Sequence, residues 1–262
     1  MLGRVLLAHN MLARSLVMRT AAGPGLITGM AAAARTIRPL MTAPDKDAGK
    51  MTYLDFPRSR GEPTQICAAY GGVQLEVELI PFDEWESRKG KIAPFLPYLT
   101  NPDGTIMLET EVIMKHLAVM GDKFVVDAAT EELCKIANGS PMQLADPTFN
   151  LPDGGGRGKA GEPEYDDWFT ATAEVMAEYA AKLGDGPFFA GETPGYGECF
   201  VWHNLDNCFG IDKEAFTKAI GEQAMAKLTA FYERFAALDG VKEYLARRQK
   251  VWGLPGSRAQ PA

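Results

Sequence analysis

The stretch Tyr53-Leu54-Asp55-Phe56-Pro57-Arg58-Ser59-Arg60-Gly61-Glu62-Pro63 decides how the chain is read, because a strand pattern gives way there to a helix pattern. Met51 to Phe56 reads as a short strand. Glu62 to Tyr70 reads as a brief helix with Pro63 in its first turn, where a missing N–H removes no bond, and Gly71-Gly72 closes it. Val73, Leu75, Val77 and Leu79 then alternate with Gln74, Glu76 and Glu78, the period of a half-buried strand. Tyr98 to Thr100 and Thr105 to Leu108 flank the turn residues Asn101-Pro102-Asp103-Gly104, which predicts a hairpin. Thr110 caps a helix with Ile113, Leu117 and Met120 on one face, ending near Gly121.

Strand, helix, strand, hairpin and helix is the order of a thioredoxin-like α/β layer, predicted at about 51–125. After Asp127 strand signals nearly vanish. Helical stretches are expected at about 128–138, 164–183, 197–208, 213–238 and 241–249. In the second of these, Trp168, Val175 and Tyr179 form one apolar face and Phe169, Ala173, Met176 and Ala180 another, so burial on two sides is expected, as in a bundle. The predicted fold class is therefore α/β plus all-α, with an all-helical domain at about 126–250 and a tail at 251–262. Residues 139–163, with Asp153-Gly154-Gly155-Gly156-Arg157-Gly158, read as a surface connection holding a short helix near 141–145. They do not read as a phosphate loop, since no Lys-Ser/Thr follows and no buried strand precedes them.

Composition narrows the classes further. The 262 residues are 46% hydrophobic and 23% charged, a globular balance. Residues 1–50 hold seven Lys/Arg and two Asp/Glu, whereas the remainder holds 20 and 32, so the body is acidic. No basic stripe invites nucleic acid. The first 44 residues carry Arg4, Arg14, Arg19, Arg35 and Arg38 and no acid, with Leu2, Leu6, Leu12 and Leu16 interleaved. That is a transit-peptide pattern, so 1–50 is expected to be a transit-like or disordered extension. Ser15 is its one serine, which favours a mitochondrial address over a plastid one, with a cytoplasmic protein as the alternative. No apolar run is long enough to span a membrane. Cys67, Cys134, Cys199 and Cys208 are widely spaced and His9, His116 and His203 form no ligand spacing with them, so free thiols and no metal are expected.

Taken in order, Tyr53-Leu54-Asp55, Arg58-Ser59-Arg60-Gly61-Glu62-Pro63, Trp85 and Lys89, Phe95-Leu96-Pro97-Tyr98-Leu99, and Leu108-Glu109-Thr110 form one spaced series. The series resembles the glutathione-binding domain of cytosolic-type glutathione transferases, nearest the sigma class and its neighbours with a catalytic tyrosine. Phe188-Phe189-Ala190-Gly191, followed by Gly195 and Glu198, resembles the family's capping box before a buried helix, with Gly195 in place of a hydroxyl and Glu198 in place of Asp, so a weaker cap is expected. Leu238-Asp239-Gly240-Val241-Lys242-Glu243-Tyr244-Leu245 resembles a motif of the last helices, and the likeness covers about 51–250.

The resemblance implies a homodimeric transferase that joins glutathione, its co-substrate, to a small hydrophobic electrophile. Tyr53 is then the catalytic residue, its hydroxyl donating to the glutathione sulfur and favouring the thiolate. By the residues alone, Tyr53 reads as an ordinary half-buried strand tyrosine, and the resemblance is what gives it a catalytic role. The series carries one extra residue between Tyr53 and Arg58, so a gapless match on Arg60 puts Leu54 at the catalytic place. Tyr53 is retained because Tyr-x-Asp matches as a unit, with Ser59 as the alternative. The resemblance also implies that Lys89 and the Trp85 indole hold the glycyl carboxylate and that the backbone of Leu96, before a cis Pro97, meets the cysteinyl unit. Glu109 and Thr110 would hold the γ-glutamyl end, and Arg60 would orient strand end or ligand. Asp146 falls near the place of an acid that family members lend to the partner subunit's glutathione. A glutathione-dependent isomerase or peroxidase, and a non-catalytic binding or structural protein of the same fold, are the alternatives.

Overall fold

The computed structural model describes residues 35–37, 46–54, 60–141 and 161–252, all within one compact unit. Five strands form one sheet: β1 (Arg35–Ile37), β2 (Asp47–Leu54), β3 (Gln74–Ile80), β4 (Tyr98–Thr100) and β5 (Ile106–Leu108), in the order β1-β3-β2-β4-β5. β2 and β3 run parallel, with Tyr53 opposite Leu79, joined through helix α1 (Glu62–Gly71). β4 is antiparallel to β2, with Thr52 opposite Tyr98, and β5 is antiparallel to β4, with Tyr98 opposite Leu108. Helix α2 (Phe82–Arg88) precedes β4, and α3 (Thr110–Gly121) follows β5. Strands β2 to β5 with these helices are the predicted thioredoxin-like layer.

Alternation along the strands sends side chains to two different cores. Met51, Leu79 and Leu99 face Ile66 and Cys67 of α1 and Ile113, Met114 and Leu117 of α3, and this cluster continues into the helical half. Leu54, Ile80, Tyr98 and Leu108 face the other way and pack with Trp85 of α2. The first strand begins earlier than its predicted start at Met51, because Ala48 is as fully buried as Met51. A register shift between Asp47 and Lys50 in the β2–β3 ladder, at Gly49, hides that continuity from a period-two pattern. Arg35–Ile37, also expected to lie in the extension, pairs antiparallel with Val77 to Leu79. The rest of the expected transit-like segment, residues 1–34 and 38–45, lies outside the described residues.

The helical half consists of α4 (Ala128–Gly139), α5 (Pro163–Lys182), α6 (Glu198–Ile220), α7 (Glu222–Ala236) and α8 (Val241–Trp252). The helix predicted at 213–238 is broken in two. α6 runs on past a kink at Asp212, whose carboxylate accepts from the Ala215 N–H at 2.8 Å, and Gly221, at φ 87°, separates it from α7. α6 is the central helix, buried throughout from Glu198 to Cys208. The short helix expected near 141–145, the glycine-rich connection and Asp146 lie outside the described residues.

The start of α6 explains the departure from a capping box. A Cβ on Gly195 would sit 2.2 Å from Cγ2 of Thr130, so no hydroxyl-bearing side chain fits there. Thr130 is itself fixed, since its N–H donates to the Asp127 carboxylate at 2.8 Å and its hydroxyl accepts from the Asp127 N–H at 3.0 Å. Glu198, one methylene longer than Asp, reaches back instead, and its Oε1 accepts from the N–H groups of Gly195 at 2.8 Å and Ala190 at 3.1 Å. Its Oε2 is buried with no partner. Burial pushes the carboxyl up from 4.5 to about 7, against the opposing pull of those N–H donors. A raised folded value means that the native state binds the proton more tightly, so this contribution is complete below about 4.5 and is lost as pH rises through about 7. Urea unfolding at pH 5 and pH 7.5 is therefore expected to show a loss of about 2 kcal/mol at the higher pH that Glu198→Gln removes. Equal pH slopes for the two proteins would contradict this.

Candidate functional site

Four strands of the sheet share one end, and the topology brings the predicted residues to it. β2 closes with Tyr53 and Leu54, and β3 closes with Ile80 before Pro81 leads into α2. β4 opens at Tyr98 directly after Leu96-Pro97, whose peptide bond is cis as expected. β5 closes at Leu108, and Glu109-Thr110 follow at once as the start of α3. Leu54, Leu96 and Leu108 form an apolar floor over Ile80, Trp85, Ala93 and Tyr98.

Tyr53 is half-buried on the α1–α3 face, and its ring lies against Gly61 at the start of α1. A Cβ on Gly61 would be 3.0 Å from Tyr53 Cγ and 3.1 Å from Cδ1, so this approach requires glycine or a shift of the ring. Arg60 beside it is exposed. Asp55, Arg58 and Ser59, including the alternative catalytic group, lie outside the described residues.

Helix α2 is pinned to the sheet by charge. Arg88 donates to Glu78 at 3.2 Å and also contacts Glu84, while Glu78 accepts from the Thr52 hydroxyl at 2.9 Å and lies 3.8 Å from Lys50. Burial works against the Glu78 charge, but Thr52, Lys50 and Arg88 together hold its carboxyl below the usual range. Trp85 is thereby seated in the second core, only 6% exposed. Lys89, the residue after the helix, stays exposed and forms no ion pair with the described residues.

Glu109 is the strained point. Its φ of 70° with ψ of 122° is a conformation that L side chains rarely adopt, and such strain concentrates at functional positions. It stands as the N-cap of α3 without a side-chain cap bond, and its carbonyl accepts from the Ile113 N–H at 3.0 Å. The first-turn N–H groups and the dipole thus face outward, a setting that favours a ligand carboxylate. Thr110 is 5% exposed at the same terminus.

Other chemistry finds less support. Cys67 lies inside α1, fully buried, and its Sγ donates to the Met114 carbonyl at 3.4 Å. Burial pushes the Cys134, Cys199 and Cys208 thiols up, away from a reactive thiolate. Among the described residues no group of three or more His, Cys, Asp or Glu is placed to hold a metal, and no helix is long and apolar enough to cross a membrane. A cavity of about 250 Å³ between α4, the end of α5 and Phe189-Ala190 involves none of the predicted residues.

One buried polar cluster escaped the sequence reading. Glu62, the first residue of α1, is fully buried and meets His203 Nδ1 at 3.0 Å, the Tyr244 hydroxyl at 3.3 Å and Arg248 Nη2 at 2.9 Å. Arg248 Nε also lies 2.6 Å from Oε1, but its N–H points off that oxygen, so the contact is ionic. Arg248 donates two further bonds at 3.0 Å to Asp206, which accepts the Tyr232 hydroxyl at 2.7 Å. Burial opposes the guanidinium charge, yet Glu62 and Asp206 raise its proton affinity above the ordinary value. The signal was the cluster His203, Asn204, Asp206 and Asn207 directly after the apolar run Cys199 to Trp202.

Comparison with known proteins agrees with this fold. Residues 161–248 match a family model described as the C-terminal domain of glutathione S-transferase. The Pi-class glutathione S-transferase of Onchocerca volvulus superposes with a TM-score of 0.61 at 18% identity, covering 79% of this chain and 96% of that one. Rat hPGDS complexed with a quinoline gives 0.60 at 15% identity, covering 77% and 97%. A glutathione transferase homologue from Sulfitobacter, with bound glutathione, gives 0.52 at 16%, covering 76% and 98%. No curated protein sequence matches the chain. The chain thus has the glutathione transferase fold, a thioredoxin-like sheet followed by a helical half.

The strain at Glu109 leads to a direct test. Glu109→Gly should relieve it and stabilise the protein by about 1 kcal/mol, allowing for the greater freedom glycine gives the unfolded chain. Chemical unfolding measures this, and a destabilised variant would show that the Glu109 side chain contributes more than its backbone costs.

Proposed function

We propose that this chain is a glutathione transferase that joins the glutathione thiolate to small hydrophobic electrophiles. One observation carries the reading: Tyr53, Leu96-Pro97 and Glu109-Thr110 converge at one end of the sheet although they lie far apart in sequence. A free thiol ionises near pH ~8.5, so at neutral pH only a few per cent is thiolate. The Tyr53 hydroxyl, donating to the sulfur, favours the ionised form without becoming a covalent nucleophile.

The remaining residues hold the tripeptide. Lys89, exposed and without an ion pair among the described residues, attracts the glycyl carboxylate. Trp85 serves first as the packed core that positions Lys89, and its indole N–H is the second donor to that carboxylate. Leu96 precedes β4, so its backbone meets the cysteinyl unit as an added strand would. The uncapped terminus of α3 and Thr110 receive the γ-glutamyl carboxylate, and Glu109 accepts from its ammonium. Arg60 orients the strand end or the ligand.

The decisive assay is thioether formation between glutathione and an activated aryl chloride. Tyr53→Phe should lower kcat by about 10²-fold, the usual effect of removing one donor to a developing anion. Undiminished turnover would move the role to Ser59. Val112 and Val119, 48% and 62% exposed and two turns apart on α3, support a homodimer. Sedimentation should then give twice the 28.5 kDa chain mass, and a monomer would remove that part of the proposal.

A further inference from the structure

We infer that Glu62 is a positioning residue for Tyr53, through which the last helix of the chain controls the proposed catalytic hydroxyl. The inference rests on the reading of Tyr53 as the thiolate donor.

The first turn of α1 has little holding it from within. Its N-cap, Gly61, has no side chain, Pro63 contributes no N–H, and the first backbone bond there, from Gln65 N–H to the Gly61 carbonyl, is long at 3.3 Å. A glutamate in this position would ordinarily sit in solvent near the helix dipole. Glu62 instead turns inward and meets partners on α6 (His203) and α8 (Tyr244 and Arg248). The turn is therefore held from outside, by the helical half. Gly61 precedes Glu62 directly and abuts the Tyr53 ring, so a shift of this turn passes to the ring with one intervening residue. In a close-packed contact of this kind, displacement of a few tenths of an ångström misdirects a hydrogen bond.

The charge count shows which variants keep the fold. Removing Arg248 would take from Glu62 and Asp206 the buried guanidinium that both contact, a loss that is strongly destabilising. Glu62→Gln leaves Arg248 and Asp206 as a balanced pair and keeps an oxygen facing the donors. Asp206→Asn is the control. It weakens the same network, on contacts to Arg248 and Tyr232, without touching α1.

The experiment uses the full chain as wild type, Glu62→Gln and Asp206→Asn. Amide hydrogen exchange is read at Gly61–Ile66, and the thiolate of bound glutathione is titrated by its ultraviolet absorbance alongside kcat and KM. In Glu62→Gln, exchange at Gly61–Ile66 should rise about tenfold, the thiol should titrate at higher pH, and kcat should fall about tenfold. KM for glutathione should stay within about twofold, because Lys89, Leu96, Glu109 and Thr110, which hold the tripeptide, lie on other elements. Asp206→Asn should leave these local readouts near wild type. Unchanged exchange in Glu62→Gln, an equal rise in Asp206→Asn, or looser exchange with undisturbed titration and kcat would each overturn the proposal. If wild type neither binds nor turns over glutathione while exchange rises only in Glu62→Gln, the turn-holding role stands and the transferase reading falls.

Discussion

A carboxylate buried at the first residue of α1 is the constraint on which the rest of this structure depends. Glu62 has no exposure, so its charge must be answered inside the protein, and the answer comes from α6 and α8. Arg248 serves Glu62 and Asp206 together, and its guanidinium stands 5.9 Å over the Trp202 ring, which stacks on Tyr232. A buried ion pair adds little net stability over an apolar replacement, because desolvation offsets the attraction. Its effect is directional. An apolar contact between the halves would tolerate sliding, whereas a guanidinium shared by two carboxylates fixes α1, α6 and α8 to one register.

The elements were legible in the sequence wherever one residue pattern belonged to one element. The period-two run at Val73–Leu79 and the apolar faces of residues 164–183 gave β3 and α5 nearly to their ends. The failures have local causes. β2 was shortened at Met51 because the register shift at Gly49 breaks the alternation that Ala48 continues. α6 and α7 were joined because a continuous apolar pattern carries no sign of the φ of 87° that Gly221 adopts. The sequence shows that Gly195 stands where a capping hydroxyl is expected, but not the reason, since Thr130 reaches that space from 65 residues away in the chain.

The candidate site shows the same division. Leu96-Pro97 and Glu109-Thr110 are named from the resemblance, and the hairpin between them places both at one end of the sheet. Trp85 is expected from the resemblance as a ligand donor, and the fold also packs its ring into the second core, which its spacing to Lys89 does not announce. The Glu62–Arg248 contact spans 186 residues, and nothing in either local sequence points to the other. Only the polar residues His203, Asn204, Asp206 and Asn207, following the apolar run Cys199 to Trp202, marked one end of the connection.

Four glutamates show how environment divides their roles. Glu62 is enclosed by donors and serves as a fastener. Glu78, partly exposed, is matched by Thr52, Lys50 and Arg88 and ties α2 to the sheet. Glu198 is buried with one oxygen satisfied, so desolvation brings its carboxyl close to neutrality at physiological pH. Glu109 alone of the four stands exposed, at a helix terminus and on a strained backbone. The first three are committed to the protein's own groups and have little left to offer a ligand. The chain holds Glu109 in a conformation that costs free energy and gains no cap bond from its side chain in return. Under the proposed function, a ligand ammonium is the partner that this placement would serve.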